Sequence, residues 1–314
     1  MNTRVSGLHS AEAGFDLASK AFLVILAVVI LATFKHYGIT WDEPIQHFYG
    51  RMVGRYYFAL LHGQYDTNVL TFELTKYYGG LFDTLAALAS YISPFRLYET
   101  RHLLNALVGF LGIIGCWRVA RLVGGPQAGF WAVLLICLTP RYYGSMFNNP
   151  KDIPFATGYV WSLYYLLRIV PELPSVPRKL TVKLGMAIGL TLAVRIGGLL
   201  LLCYLALVIG VWGASRARSW RVWGQLARFG SGVTAIAWGI MLIWCPWAHT
   251  SPLAAPFRAL ANFTHDYPWY GSILFDNQII KAAKEPRTYL LRWFSITLPE
   301  VVLVLLAVGL IIAL

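Results

Sequence analysis

The sequence predicts an all-α polytopic membrane protein, and three observations carry that expectation. Hydrophobic residues fill 58% of the 314 positions and charged residues only 13%, a balance too apolar for a water-soluble domain. Apolar runs of near-spanning length recur along the chain. The short segments between them hold most of the basic excess, 26 Lys and Arg against 14 Asp and Glu for a net charge of +12. That placement reads as membrane topology and argues against a nucleic-acid partner.

A span needs roughly 20 apolar residues, and on that rule about eight transmembrane helices are expected. They cover 17–37, 102–121, 126–141, 153–170, 182–195, 196–213, 225–247 and 296–314. Lys20 precedes the run Ala21–Ala32 and no small-x-small cleavage site follows, so the first helix reads as an uncleaved signal anchor. Gly197-Gly198 permit a tight reversal after the fifth. Arg118 and Arg121, then Arg168, Arg178, Lys179 and Lys183, then Arg216, Arg218, Arg221 and Arg228 fall on alternate sides of successive helices. The bias places those loops and the N-terminus in the cytoplasm. Segments 38–101 and 248–295 then share the opposite face.

Segment 38–101 is too long for a connector. Its runs Phe48–His62 and Tyr77–Ile92 mix aromatic and aliphatic residues with Arg51, Arg55, Lys76 and Asp83, the pattern of two amphipathic helices lying in the interface. Segment 248–295 carries Pro252, Pro256, Pro268 and Pro286 and cannot be one long helix; it is expected to cover the first. Cys116, Cys137, Cys203 and Cys245 sit inside apolar runs without metal-ligand spacing and read as packing residues. The last run reaches Leu314 with no basic anchor, so a single transmembrane domain over 1–314, truncated at its C-terminal end, is expected.

Thr40-Trp41-Asp42-Glu43-Pro44 sets two carboxylates where the first helix leaves the bilayer. Alone, such a pair reads equally well as a solvated loop. Asn149-Pro150-Lys151-Asp152 opens the fourth span on the same side, where Asp152 could simply cap that helix. Arg195 interrupts the apolar stretch Leu184–Ile209. An Arg there either snorkels to the interface or meets an anion such as a phosphate, and Lys76, Arg55, Arg101 and Lys151 add to the positive field. His265-Asp266 could reach the same place, although a lone loop dipeptide is usually polar surface. Acids, a basic phosphate site and lipid access together suit a sugar carried on a polyprenyl phosphate. The phosphate is a ready leaving group that cations stabilise, and a carboxylate can take the acceptor hydroxyl's proton. In-line attack would invert the anomeric carbon. The alternative is a non-enzymatic transporter of a lipid-linked sugar or another anionic lipid, although carriers usually place charges at mid-bilayer and show internal repeats.

Taken in order, Trp41-Asp42-Glu43-Pro44, Lys76-Tyr77-Tyr78-Gly79, Arg101-His102, Asn149-Pro150-Lys151-Asp152-Ile153-Pro154-Phe155 and Pro286-Arg287-Thr288-Tyr289-Leu290 resemble the GT-C fold glycosyltransferases. The chain is similar to their bacterial branch related to protein O-mannosyltransferases and to the aminoarabinose transferase of lipid A, that is, glycosyltransferase family 39-like. The resemblance implies a periplasmic active site in a bacterial inner membrane, a polyprenyl-phosphate sugar as donor and a hydroxyl-bearing protein, lipid or glycan as acceptor. It carries the family's base onto Asp42 and its second acid onto Asp152, with Glu43 completing the pair. Arg195 and Lys76 become donor-phosphate contacts, helped by Lys151 and Arg55. Members differ in whether a divalent metal takes part, which leaves Asp42 and Asp152 as its candidate ligands here.

Overall fold

The computed structural model describes residues 2–64, 66–72, 75, 77–263, 271–281 and 284–313. Lys76 and the His265-Asp266 dipeptide lie outside the described residues. The helices follow the apolar runs: α1 (Asn2–Thr33), α2 (Glu43–Leu61), α3 (Asn68–Thr71), α4 (Leu81–Ala89), α5 (Leu97–Cys137), α6 (Pro140–Asn148), α7 (Asp152–Ile169), α8 (Arg178–Leu192), α9 (Leu199–Arg216), α10 (Trp220–Trp244) and α11 (Ala255–Ala261). A short antiparallel hairpin follows, β1 (Ser272–Phe275) with β2 (Gln278–Lys281), then α12 (Tyr289–Thr297) and α13 (Glu300–Ala313). The protein is thus an all-α polytopic membrane protein, and the hairpin is the one β element among the described residues.

Four helices are by themselves long and apolar enough to cross a membrane, and α12 with α13 makes a fifth if that pair, bent by 119°, is counted as one span. The expected number was about eight. Part of the difference is α5, which holds two of the expected spans in 41 residues. It is broken at Gly125, whose φ of 77° only glycine adopts easily, immediately before Pro126. The remaining two, α7 with 18 residues and α8 with 15, are packed inside the bundle, where neighbouring helices replace lipid.

Burial follows from close approach along glycine seams. On α5, a Cβ at Gly109 would stand 2.6 Å from Met146 and one at Gly115 2.6 Å from Val160. On α8, Gly185 and Gly189 face α10 in the same way. Small residues allow such contact where no hydrophobic force separates helix from lipid. Side chains then bond across helices to main-chain carbonyls: Thr157 to Val108 at 3.0 Å, Trp161 to Leu111 at 3.0 Å and Tyr142 to Gly109 at 2.8 Å. Two cores result, one of α1, α5 and α6 around Ile30, Ile113 and Met146, the other of α8, α9 and α10 around Ile188, Leu201 and Val233. Helix α7 joins them, Ile153 in the first and Leu166 in the second.

The expected interface helices are α2 and α4, and they pack on each other. At Gly50 a Cβ would collide with the Asp83 carbonyl. The chain before α4 is pinned to the bundle by its own backbone: Gly79 N–H donates to Val194 O (3.1 Å), Gly80 to Trp244 O (2.8 Å) and Leu81 to Ala193 O (3.2 Å). No side chain fits at Gly79, where a Cβ would run into the Ala193 carbonyl. The second outer segment starts on top of the first. Trp247 donates its indole N–H to Tyr78 O at 3.0 Å, and the Tyr56 hydroxyl meets His249 at 2.8 Å.

Candidate functional site

A cleft of about 1170 Å³ opens at the end of the bundle where α2 and α7 begin. The loop before α2, the wall formed by α6, the start of α7 and the turn after α8 surround it.

The two adjacent acids have opposite environments. Glu43, in the first turn of α2, is buried. Its carboxylate accepts from Thr40 N–H at 2.8 Å and lies 3.2 Å from His102 on α5. Thr40 in turn donates its hydroxyl to Asn148 O at 3.1 Å, and the Asn148 amide donates to Gly38 O at 3.2 Å. Glu43 therefore ties the loop to α5 and, through Thr40, to α6. Asp42 occupies the cap position but makes no capping bond; its side chain is exposed and lines the cleft beside Trp41. Pro44 fits the first helical turn, where no amide donor is needed.

Asp152 opens α7 and exchanges two bonds with Asn149: its backbone N–H donates to Asn149 Oδ1 (3.0 Å) and Asn149 Nδ2 donates to its Oδ2 (2.9 Å). Its other oxygen receives Arg195 Nη2 at 2.9 Å. Arg195 stands beyond the end of α8 in extended backbone, its guanidinium over the Tyr78 ring at 5.4 Å. With the pair partly open to water, the contact is worth about 0.2–1 kcal/mol and is readily exchanged. An arriving phosphate could replace Asp152 at modest cost and gain the guanidinium fork.

Lys151 departs from the sequence expectation of a donor-phosphate contact. It is buried, its ammonium 2.5 Å from Asp83 Oδ2 and 3.4 Å from Gly79 O, above the rings of Tyr49 and Tyr78. Arg101 holds the other Asp83 oxygen at 2.9 Å. Charges taken out of water settle on a partner, and Asp83, fully buried on α4, supplies one to both cations. An acid in the apolar run Leu81–Ala89 was the available signal; it read instead as the polar face of an interface helix. Arg55 also departs from expectation. It lies on an exposed face of α2 twelve residues past Glu43, about 18 Å along the helix at 1.5 Å per residue, and does not line the cleft. Arg141 of α6, not singled out in the sequence, does.

The cleft thus collects Asp42, Asp152 and Arg195 and leaves Glu43 and Arg55 outside its lining, while Lys151 reaches its wall with the ammonium committed to Asp83. Among the described residues no group of three or more His, Cys, Asp or Glu could hold a metal ion. Asp152 is engaged by Arg195 and Asn149, and Asp42 makes no capping bond. What the arrangement can do is accept a proton at Asp42 and hold an anion at Arg195.

A family model described as dolichyl-phosphate-mannose-protein mannosyltransferase matches residues 82–244, more than half of the 314-residue chain. No curated protein matches it.

Proposed function

The chain belongs to the dolichyl-phosphate-mannose-protein mannosyltransferase family and is a GT-C type membrane glycosyltransferase, and from that premise we propose that it transfers a sugar from a polyprenyl phosphate to an acceptor hydroxyl in the cleft. The observation that carries the reading is the meeting of an uncommitted carboxylate, Asp42, with the Asp152–Arg195 pair in one cleft at the end of the bundle.

Arg195, held by Asp152 at the start of α7 until the donor arrives, exchanges that carboxylate for the donor phosphate. The acceptor oxygen attacks the anomeric carbon from the side opposite the phosphate and passes its proton to Asp42. The carbon–oxygen bond to phosphate breaks, its electron pair leaving on the phosphate, where Arg195 stabilises the charge. Attack from the opposite face inverts the anomeric centre. Glu43 and His102 hold the loop that presents Asp42 and touch no substrate.

The basic residues just before the break in α5, Arg118 and Arg121, and those at the far ends of α7 and α9 support a cytoplasmic position for that side. The cleft is then periplasmic in a bacterial inner membrane, and an exported lipid carrier supplies the sugar where no nucleotide is present.

The test is transfer from a panel of polyprenyl-phosphate sugars by the purified chain in lipid nanodiscs. Asp42→Asn should lower the transfer rate about 10²–10⁴-fold, the range for loss of a general base, while donor binding and melting temperature stay near wild type. A wild-type rate in that variant removes Asp42 as the base. Donor binding without transfer by the wild-type chain would point to a carrier instead.

A further inference from the structure

We propose that Gln46 and Thr75 select the sugar that is transferred, each bonding one of its ring hydroxyls, and that the sugar is uncharged at those two positions. The inference rests on the assignment of the donor phosphate to Arg195 and of the base to Asp42.

Both side chains line the cleft, and both are more than nine-tenths buried, Gln46 at 8% and Thr75 at 7% exposure. Gln46 Oε1 and Thr75 Oγ1 nevertheless have no hydrogen-bond partner among the described residues. Other polar groups of the cleft are committed: Thr40 to Glu43 and to Asn148 O, and Asn149 to Asp152. A polar atom out of water without a partner is costly, and buried side chains seldom leave one so. Two of them in the wall of one cleft mark where a ligand supplies the missing bonds.

Their places fit the sugar of the donor. Gln46 lies one turn beyond Asp42 on α2, its backbone N–H donating to Asp42 O at 3.0 Å, about 6 Å along the helix at 1.5 Å per residue. Thr75 belongs to the phosphate end. Its carbonyl accepts from Tyr78 N–H at 2.9 Å, and the Tyr78 ring carries the Arg195 guanidinium at 5.4 Å. One residue is tied to the base and the other to the phosphate site, and the sugar is the part of the donor that joins the two.

A ring hydroxyl satisfies either side chain. It donates to the carboxamide oxygen of Gln46, and it donates to or accepts from the hydroxyl of Thr75. The last torsion of a glutamine is broad, so Gln46 turns its oxygen to the ligand at little cost. Neither residue brings a charge. An amino or carboxyl group at either position would therefore find no counter-charge in the pair, and the Lys151 ammonium, 5.2 Å from the centre of the same Tyr78 ring, opposes an amine beside Thr75.

The experiment is transfer by the full chain in lipid nanodiscs from the sugar it uses best in a panel of polyprenyl-phosphate sugars, remade with each ring hydroxyl in turn replaced by hydrogen or by an amino group. Two of the deoxy analogues should lower kcat/KM roughly 10-fold each, as loss of a hydrogen bond does. Gln46→Leu and Thr75→Val should each lower kcat/KM for the parent sugar by a similar factor. Each should also lose its sensitivity to one deoxy position, a different one for each variant, and keep the other, which is the pairing that a double-mutant cycle isolates. Gln46→Glu should turn the preference at its own position toward the amino analogue. Indifference of the wild-type chain to every single hydroxyl would overturn the proposal, and that result needs no variant to fold. An equal fall for all donors in both variants, with discrimination intact, would overturn it as well by making the two residues structural. So would better use of the amino analogue than of the parent by the wild-type chain at either position. A chain that transfers no sugar at all gives a different result, which removes the transfer reaction itself; a chain that transfers without reading these hydroxyls loses only the subsite.

Discussion

An ion pair and a three-charge cluster lie within a few residues of each other at the cleft and have opposite characters. Asp152 and Arg195 meet at 2.9 Å with side chains 58% and 35% exposed. Next to them Asp83 binds Arg101 and Lys151 at 2.9 and 2.5 Å, with exposures of 0%, 1% and 6%. The chemistry is the same and the solvent is not. In the open pair, water competes for both charges, so the contact is weak and a substrate can replace it. In the closed cluster no water can take over, so the contact is part of the structure that carries the cleft. Adjacent residues, Lys151 and Asp152, differ in this way because one is buried and the other is open to water.

Substituting the closed cluster should give the largest effect. Asp83→Asn keeps the shape and leaves two buried cations facing a neutral group, a loss of about 3–5 kcal/mol, to be read from thermal or denaturant unfolding in detergent. A change below 1 kcal/mol would erase the distinction between the two pairs. Arg195→Gln should reverse the pattern. Stability falls by no more than about 1 kcal/mol, whereas the KM for donor rises roughly 10–100-fold, the value of a hydrogen bond to a charged group. A large drop in melting temperature with unchanged KM would make Arg195 structural. The smallest effect concerns His47 on α2, whose imidazole is held below its ordinary pKa first by burial and then by Arg101 and Arg51, with Asp83 opposing. The unfolded chain binds this proton more readily than the folded one, so stability falls as pH drops through the unfolded value of about 6.5. His47→Gln should flatten the slope of melting temperature against pH between about 5 and 7 without altering the plateau above it.

Much of the architecture was legible in the chain because apolar run length and the position of Gly and Pro are local properties. The end of one helix before Pro126, two helices within 38–101 and the exposure of Asp42 at a helix start all follow from neighbours in sequence; the second of those helices, expected from Tyr77, begins only at Leu81 because Gly79 and Gly80 bond to the bundle backbone instead. The number of true spans was less legible. Helices α7 and α8 are shielded by α5 and α10, and a hydropathy rule cannot separate shielding by protein from immersion in lipid.

By itself the sequence determined a polytopic helical membrane protein with an acid pair, a second acid and an arginine at one end of its helices. Only the tertiary structure decided which charge is free. Glu43 is bound to His102, 59 positions away, and Lys151 to Asp83, 68 positions away, while Asp42 takes no partner from the helix it caps. Partner choice depends on which helices pack together and on how much water remains between them, and glycine seams on α5 and α8 settle that by letting backbones close to contact.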